Sequence, residues 1–317
     1  MAHPFRYIFG PVPSRRLGYS LGVDIIPSKL CTLDCVYCEV GRTDMRGIAR
    51  KEYLPAAEIL TEVREAVEQY PGLDHITISG SGEPTLNSAI GTIIRSIRSF
   101  TRTPVAVLTN GTLLTLPEVR RDVLDADVVS PSLDAVSQEV FERVDRPHPR
   151  LRSADIVEGL VAFRNEYRGD LWLEILLVRE INDTAEELAR LVQAVERIRP
   201  DRIHLNTVVR PPAEAFAHPV DEQRMHEIQQ MFGSRCEVIG VFREKHKTLD
   251  RVADADAILS LLRRRGMTAA GISMALELRI EDVLRVLVAM ERDRTIRVFE
   301  FEGEQFYQAI ESADPES

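Results

Sequence analysis

Hydrophobic positions along the chain fall into two alternating rhythms. Short apolar runs stand at 20–27 (SLGVDIIP), 74–79 (DHITIS), 104–109 (PVAVLT), 127–132 (DVVSPS), 171–178 (LWLEILLV) and 202–208 (RIHLNTV). Their length and their Val, Ile and Leu content predict buried strands. Between them, apolar residues recur every three to four positions over 56–70, 87–99, 116–125, 153–167 and 184–198, and again over 220–232. That period predicts amphipathic helices. Strands alternating with helices imply βαβ units and a parallel sheet. Six such units form either a partial barrel or an open doubly wound sheet, and the pattern alone does not choose.

The alternation stops near residue 250. Residues 254–265 predict a helix ending at Gly266, 268–276 a second and 280–292 a third. Two short strands follow, 295–301 and 304–309, with Gly303 in the turn. Three helices and a hairpin resemble a winged helix-turn-helix. A boundary is expected in the charged stretch 244–252, dividing the chain into residues 1–245 and 253–311.

Hydrophobic residues make up 44% and charged residues 28% of the 317, which excludes disordered, collagen-like and disulfide-stapled classes. No apolar run approaches the roughly 20 residues that span a bilayer, and the N-terminus lacks a signal-peptide apolar core. A cytoplasmic protein without membrane contact is expected. The net charge of −10 excludes a uniformly basic nucleic-acid footprint. Residues 254–309 hold eight arginines against ten acids, and their hairpin (FEFEGEQ) is acidic. Such a surface repels phosphate, so DNA is disfavoured as a partner. The only lysines are Lys29, Lys51, Lys245 and Lys247, which leaves four candidates for Schiff-base chemistry.

Three of the four cysteines crowd into one segment, CTLDCVYC, as Cys31, Cys35 and Cys38. Clustered thiols in a reducing compartment point to metal rather than to a disulfide. Two centres remain open. Zinc needs a fourth ligand, Cys236 or a histidine. A [4Fe–4S] cluster takes one thiolate per iron, so three cysteines leave one iron free for an exogenous chelating ligand. Cys236 otherwise reads as a small buried hydrophobe.

Ligands of parallel α/β sheets sit at the carboxyl ends of the strands, so polar residues there are candidates. The segment Ser79–Leu86 (SGSGEPTL) combines small residues, which admit a close ligand, with the carboxylate of Glu83. Asn110 and Gly111 end the third strand, and Ser132 and Asp134 the fourth. Glu174 interrupts an apolar strand, a costly position unless it is paired; it faces substrate or pairs with an arginine. Asn182-Asp183-Thr184 reads as the N-cap of the next helix. The sixth strand ends in HLNTVVRPP, offering His204, Asn206, Thr207 and Arg210, the last suited to a carboxylate or phosphate at a cleft rim. Ser14, Arg15 and Arg16 precede the first strand as a lid, an anion contact or a surface arm. For each of these residues an ordinary turn or cap is the competing reading.

CTLDCVYC, with Tyr37 before its last cysteine and a strand ahead of it, resembles the radical S-adenosylmethionine (SAM) superfamily. The resemblance implies that Cys31, Cys35 and Cys38 bind a [4Fe–4S] cluster whose open iron is chelated by SAM. It implies an electron donor of flavodoxin or ferredoxin type and cleavage of SAM to a 5′-deoxyadenosyl radical. Ser81-Gly82-Glu83 stands where the family has Gly-Gly-Glu, so Gly82 and Glu83 are expected to hold the SAM amino group. Tyr37, Asn110, Ser132 and Asn182 complete the implied cofactor site, with Asn182 toward the ribose. Glu174, Asn206 and Arg210 are left for the substrate. With FGPVPSRRLG and LNTVVRPP added, residues 8–215 resemble a subgroup related to the tRNA wyosine-synthesis enzymes (4-demethylwyosine synthases). Those enzymes bind a second cluster through earlier cysteines and capture pyruvate on a lysine. No cysteine precedes Cys31 here, and no lysine lies in a predicted strand, so wyosine formation itself is not expected. The expectation is an α/β protein with a partial (βα)6 TIM-type barrel and a small C-terminal winged helix-turn-helix, an oxidoreductase-type radical SAM enzyme acting on tRNA or another nucleoside. The alternatives are a peptide-modifying maturase and, outside enzymes, a metal-sensing DNA-binding regulator.

Overall fold

The computed structural model describes residues 5–14, 16–239, 255–276 and 278–310. Strand β1 (Ile8–Ser14) pairs antiparallel with β2 (Gly18–Asp24). Helix α1 (Ala56–Gln69) leads to β3 (His75–Ser79), α2 (Ile90–Phe100) to β4 (Val105–Thr109), and α3 (Pro117–Val123) to β5 (Val128–Pro131). Helices α4 (Gln138–Val144) and α5 (Ser153–Glu166) precede β6 (Asp170–Leu177). Helix α6 (Ala185–Ile198) precedes β7 (Arg202–Thr207), and α7 (Glu222–Phe232) precedes β8 (Cys236–Val238). The eight strands form one sheet in sequence order, parallel from β2 to β8.

The six predicted strands and their connecting helices lie within a few residues of their expected limits, and three elements are additional. The Gly and Pro spacing of FGPVPSRRLG predicts a defined loop, yet Ile8–Ser14 form β1: proline is tolerated on an edge strand, and the ladder is irregular between Phe9 and Val12. Helix α4 and strand β8 are too short to set up a period.

Side chains alternate across a strand, and here the alternation sorts the two faces. Leu21, Val23, Ile76, Ile78, Val107, Leu173, Ile175 and Leu205 have no exposure and join one hydrophobic cluster with the helices. Each such side chain contributes about 1.5–3 kcal/mol on burial. The registers place Ser20, Gly22, Thr77, Ser130, Glu174, His204 and Asn206 on the opposite face. A small separate apolar plug, Leu17, Ala106, Val128 and Trp172, lies on that face. The inner face is therefore largely polar or small, as a ligand cavity requires.

Residues 255–309 fold about their own hydrophobic cluster. Helices α8 (Ala255–Arg264), α9 (Ala269–Leu276) and α10 (Ile280–Arg292) combine with a three-stranded antiparallel sheet of β9 (Met267–Thr268), β10 (Ile296–Phe301) and β11 (Glu304–Ala309). The boundary expected at 244–252 lies outside the described residues. This C-terminal unit is seated on the sheet: Arg264 pairs with Asp24 at the end of β2, and Val12 of β1 packs against its core. Among the described residues, no helix is long and apolar enough to cross a membrane.

Glu187 of α6, with no exposure, accepts the backbone amides of Val136 (2.5 Å) and Ser137 (2.9 Å) and pairs with Arg190 (3.3 Å). Burial alone would raise its pKa, but the bonds from Ser137, Val136 and Arg190 outweigh it and hold the carboxyl below its ordinary value. Glu187→Ala leaves two amides without this acceptor and should cost about 2 kcal/mol or more. A depressed carboxyl stabilises fully above its unfolded pKa, and that contribution is lost as pH falls through the folded value. The gap between wild type and variant in urea unfolding should therefore narrow from pH 7 to pH 3.

Candidate active site

The cysteine segment has almost no secondary structure of its own. Only residues 30–31 pair, with 45–46. Backbone bonds from other loops hold the rest. Lys29 donates to Ser81 (2.6 Å), Glu83 to Leu30 (3.0 Å), Asp34 to Asp145 (2.9 Å), Val36 to Val144 (2.9 Å) and His148 to Thr32 (2.9 Å). This loop thus lies at the carboxyl ends of β2 and β3.

Cys31, Cys35 and Cys38 are free thiols, each partly buried. Burial, reinforced by Glu83, pushes Cys31 up to about 12. Burial and the neighbouring Asp145, Cys31 and Cys38 drive Cys35 well above its usual value, and burial raises Cys38. Thiols that raise one another in this way become thiolates only beside a compensating cationic centre. Among the described residues, no three His, Cys, Asp or Glu side chains are placed to hold a single metal ion. A cluster asks for no such convergence, because each thiolate serves its own iron. Cys236 cannot complete a zinc site, since it lies opposite Ile203 at the start of β7, the far end of the parallel strands. There it is a buried residue whose thiol burial pushes up to about 12. The donor set fits the cluster and not four-ligand zinc with Cys236.

Tyr37 donates to Asp134, and its hydroxyl lies 3.5 Å from Asp145. Asp134 also accepts the Leu176 amide (2.7 Å). Burial pushes both carboxyls above the ordinary range, and the charge of Asp134 adds to the effect on Asp145. The tyrosine of the cysteine motif is thereby tied to the ends of β5 and α4. Asp145 is a residue the sequence reading missed, since nothing in VDRPHP marks it as facing Tyr37.

The remaining candidates divide by what their side chains touch. Asn110 donates to Thr32 (2.8 Å) and lies 3.5 Å from the Cys31 Sγ. With Ser132 it lines a narrow cleft of about 10 Å³, room for about one water. The carboxylate of Glu83 is 1% exposed and accepts from Thr85, Thr109 (2.6 Å) and the Asn110 amide (2.7 Å). Its bonds brace the loops, and it is Ser79, Gly80 and Ser81 of this segment that line the large cavity. Asn182 has no exposure; it donates to the Asp134 (2.9 Å) and Leu176 (2.8 Å) carbonyls and accepts from Val178 (2.7 Å). It is a brace between β5 and β6. It is not the helix cap either: Thr184 caps α6 by accepting from Glu187.

Glu174 pairs with Arg16 (2.5 Å) and accepts from Asn206 (3.1 Å). The inner-face acid is thus met by an arginine from the loop between β1 and β2. His204 beside it has its pKa lowered to about 4 by burial and by Arg16. Arg210 lines the cavity with Arg16, and its Nη1 lies 2.8 Å from Glu39, the residue after Cys38. The cavity has a volume of about 320 Å³, within the range of small-molecule sites. It is bounded by Ser81 on one side and Glu39 on another, so it adjoins both motifs.

A Cβ on Gly82 would stand 2.1 Å from the Leu30 carbonyl oxygen, next to Cys31. Gly82→Ala should therefore displace the cysteine loop, costing about 1–3 kcal/mol, and lower the iron bound per chain after reconstitution. Gly47→Ala, where nothing lies within 4 Å, should load iron as the wild type does.

Residues 25–192 match the family model of the Radical SAM superfamily. A UPF0026 protein of Methanocaldococcus jannaschii is 36% identical over 254 residues, covering 80% of this chain and 77% of that protein. A Brachyspira hyodysenteriae protein named GTPase Obg is 35% identical over 287 residues, covering 89% of this chain but 42% of that protein. This chain contains no G-x4-G-K-S/T phosphate loop, and the GTPase name is not carried over. The fold is similar to that of a radical SAM methyltransferase from Sphaerobacter thermophilus, with a TM-score of 0.53, 20% identity, and coverage of 69% of this chain and 65% of that one. The model match spans more than half of the chain, and it falls on the segment that carries the three thiols: the protein belongs to the radical SAM superfamily and is an enzyme that uses a [4Fe–4S] cluster and SAM.

Proposed function

We propose that this enzyme abstracts a hydrogen atom from a nucleoside-type substrate seated in the arginine-lined cavity. In this reading residues 1–245 form an incomplete (βα)6 barrel and residues 253–311 a winged-helix-like unit over its mouth. When bound, the cluster and SAM, reduced by a flavodoxin- or ferredoxin-type donor, supply the radical that removes the hydrogen. Cys31, Cys35 and Cys38 hold the cluster. The backbone at Ser81-Gly82 approaches the SAM amino group, with Tyr37, Asn110 and Ser132 around it. Glu83 and Asn182 act behind this layer by fixing the loops that carry it. The Arg16–Glu174–Asn206 network orders the inner face, and the enclosing walls exclude water from the reacting atoms.

One observation carries the reading: the large cavity touches the residue after Cys38 and the residue before Gly82 at once. A substrate there lies between the cluster loop and the loop proposed for SAM, as proximity catalysis demands. The nucleoside class rests on the resemblance of residues 8–215 to the wyosine-synthesis subgroup, without that subgroup's extra cysteines and lysine.

Cys35→Ala should abolish both cluster binding and formation of 5′-deoxyadenosine in the reduced, reconstituted protein, read by iron content and mass spectrometry. Undiminished SAM cleavage by that variant would refute the assignment. Tightly bound zinc in the wild type, with no cluster and no SAM cleavage, would favour the metal-sensing regulator instead.

A further inference from the structure

The cavity wall carries an uneven set of charges. Among the described residues that line it, Arg16, Arg210, Arg264 and Arg265 are cationic and Glu39 is anionic. The arginines come from three distant parts of the chain. Arg16 follows β1, Arg210 follows β7, and Arg264 and Arg265 close helix α8 of the C-terminal unit. Two of them converge on one oxygen: Arg210 Nη1 lies 2.8 Å and Arg265 Nη1 3.1 Å from Glu39 Oε2. Arg264 lies 4.0 Å above the Phe9 ring and pairs with Asp24 at the end of β2. Leu261, one turn back along α8, completes this wall.

Guanidinium groups that approach one point from separate elements build an oxyanion site. Burial and the adjacent Arg210 push Arg265 down to about 10, still cationic at neutral pH. Arg265 keeps 38% of its side-chain exposure, and its position in the lining turns part of that surface to the cavity. Glu39 then has two neighbours that a tetrahedral dianion would satisfy better than a single carboxylate. A planar carboxylate takes guanidinium forks in its own plane, whereas a phosphate accepts them from several directions.

We propose that Arg210 and Arg265, with Arg264 beside them, bind a phosphate monoester carried by the substrate, Glu39 occupying the guanidinium groups of Arg210 and Arg265 until it arrives. The proposal rests on the cavity being the substrate site of this radical SAM enzyme. It makes the C-terminal unit part of substrate recognition. It also narrows the substrate from a nucleoside type to one that bears a terminal phosphate.

The test is calorimetric titration of the reconstituted, SAM-loaded protein at constant ionic strength with ribose 5-phosphate, ribose and malonate. Ribose 5-phosphate should bind at least tenfold more tightly than either of the others. Arg265→Gln should weaken it at least tenfold. Glu39→Gln should tighten it, because the internal competitor is gone; an effect of that sign does not arise from damage to the fold. Arg279→Gln, on the exposed side of the unit with 55% side-chain exposure, should bind as the wild type does. Absence of ribose 5-phosphate binding, malonate binding as tight or tighter, or an unchanged affinity in Arg265→Gln would overturn the proposal. SAM cleavage by the wild type is assayed separately. Cleavage without phosphate binding sinks this site and leaves the radical chemistry standing; phosphate binding without cleavage does the reverse.

Discussion

Everything in the site depends on keeping three thiols of one irregular loop partly out of water. Desolvation raises the pKa of all three, and each of Cys31 and Cys35 feels its neighbours as well. Of secondary structure, such a loop has only the short pairing of residues 30–31 with 45–46 to hold it. Its backbone groups are instead bonded to the loops after β3 and around α4, through Ser81, Glu83, Val144, Asp145 and His148. Buried backbone groups need partners, and here meeting that need also fixes the register of the cysteines. The close approach at Gly82 follows from it, since the Leu30 carbonyl can meet the Glu83 amide only where no Cβ intervenes.

The sheet supplies the second constraint. Its parallel order places the carboxyl ends of β2 to β8 on one side of the molecule, and with them the loops that carry Ser81, Asn110 and Ser132. Its period of two then sends isoleucine, leucine and valine to the helices while Ser20, Thr77, Glu174 and Asn206 face inward. Glu174 shows how an acid survives on that face. Arg16 and Asn206 each bond one of its oxygens, so the cost of withdrawing the charge from water is offset locally. The same pairing anchors the segment between β1 and β2 across the inner face, which turns a sequence that reads as a free arm into part of the wall.

Much of this architecture is legible in the sequence. Long periodic segments such as 56–69 and 185–198 need no tertiary information, and the family resemblance of the cysteine segment points to its chemistry. What escapes is of two physical kinds. Short elements, α4 and β8, contain fewer residues than a period needs, and β1 hides behind prolines that only an edge strand tolerates. The second kind concerns direction. Glu83 and Asn182 stand at strand ends where ligands bind, but a carboxylate or amide there can serve the backbone of the next loop equally well. Glu83 accepts from Thr109 and the Asn110 amide, and Asn182 bonds Val178 and the Asp134 carbonyl. Asp145 and Glu39 show the converse, since the partners that give them meaning lie far away in sequence.

Charge counting over the C-terminal unit illustrates how a sum conceals a vector. Eight arginines against ten acids suggest a mildly acidic module with nothing to offer an anion. The fold sets two of these arginines apart from the rest. Arg264 and Arg265 stand at the carboxyl end of α8, where the helix dipole favours cations, and line the cavity rather than the outer surface. Arg279, Arg285 and Arg292 stay exposed beside Glu281, Asp282 and Asp293, and Glu302 of the β10–β11 hairpin lies 3.6 Å from His218 of the barrel. In the proposed site, two of its cations serve an anion inside the cavity rather than the outside of a nucleic acid. A module whose sequence pattern resembles a groove reader is set here as a wall, with Arg264 and Arg265 turned inward.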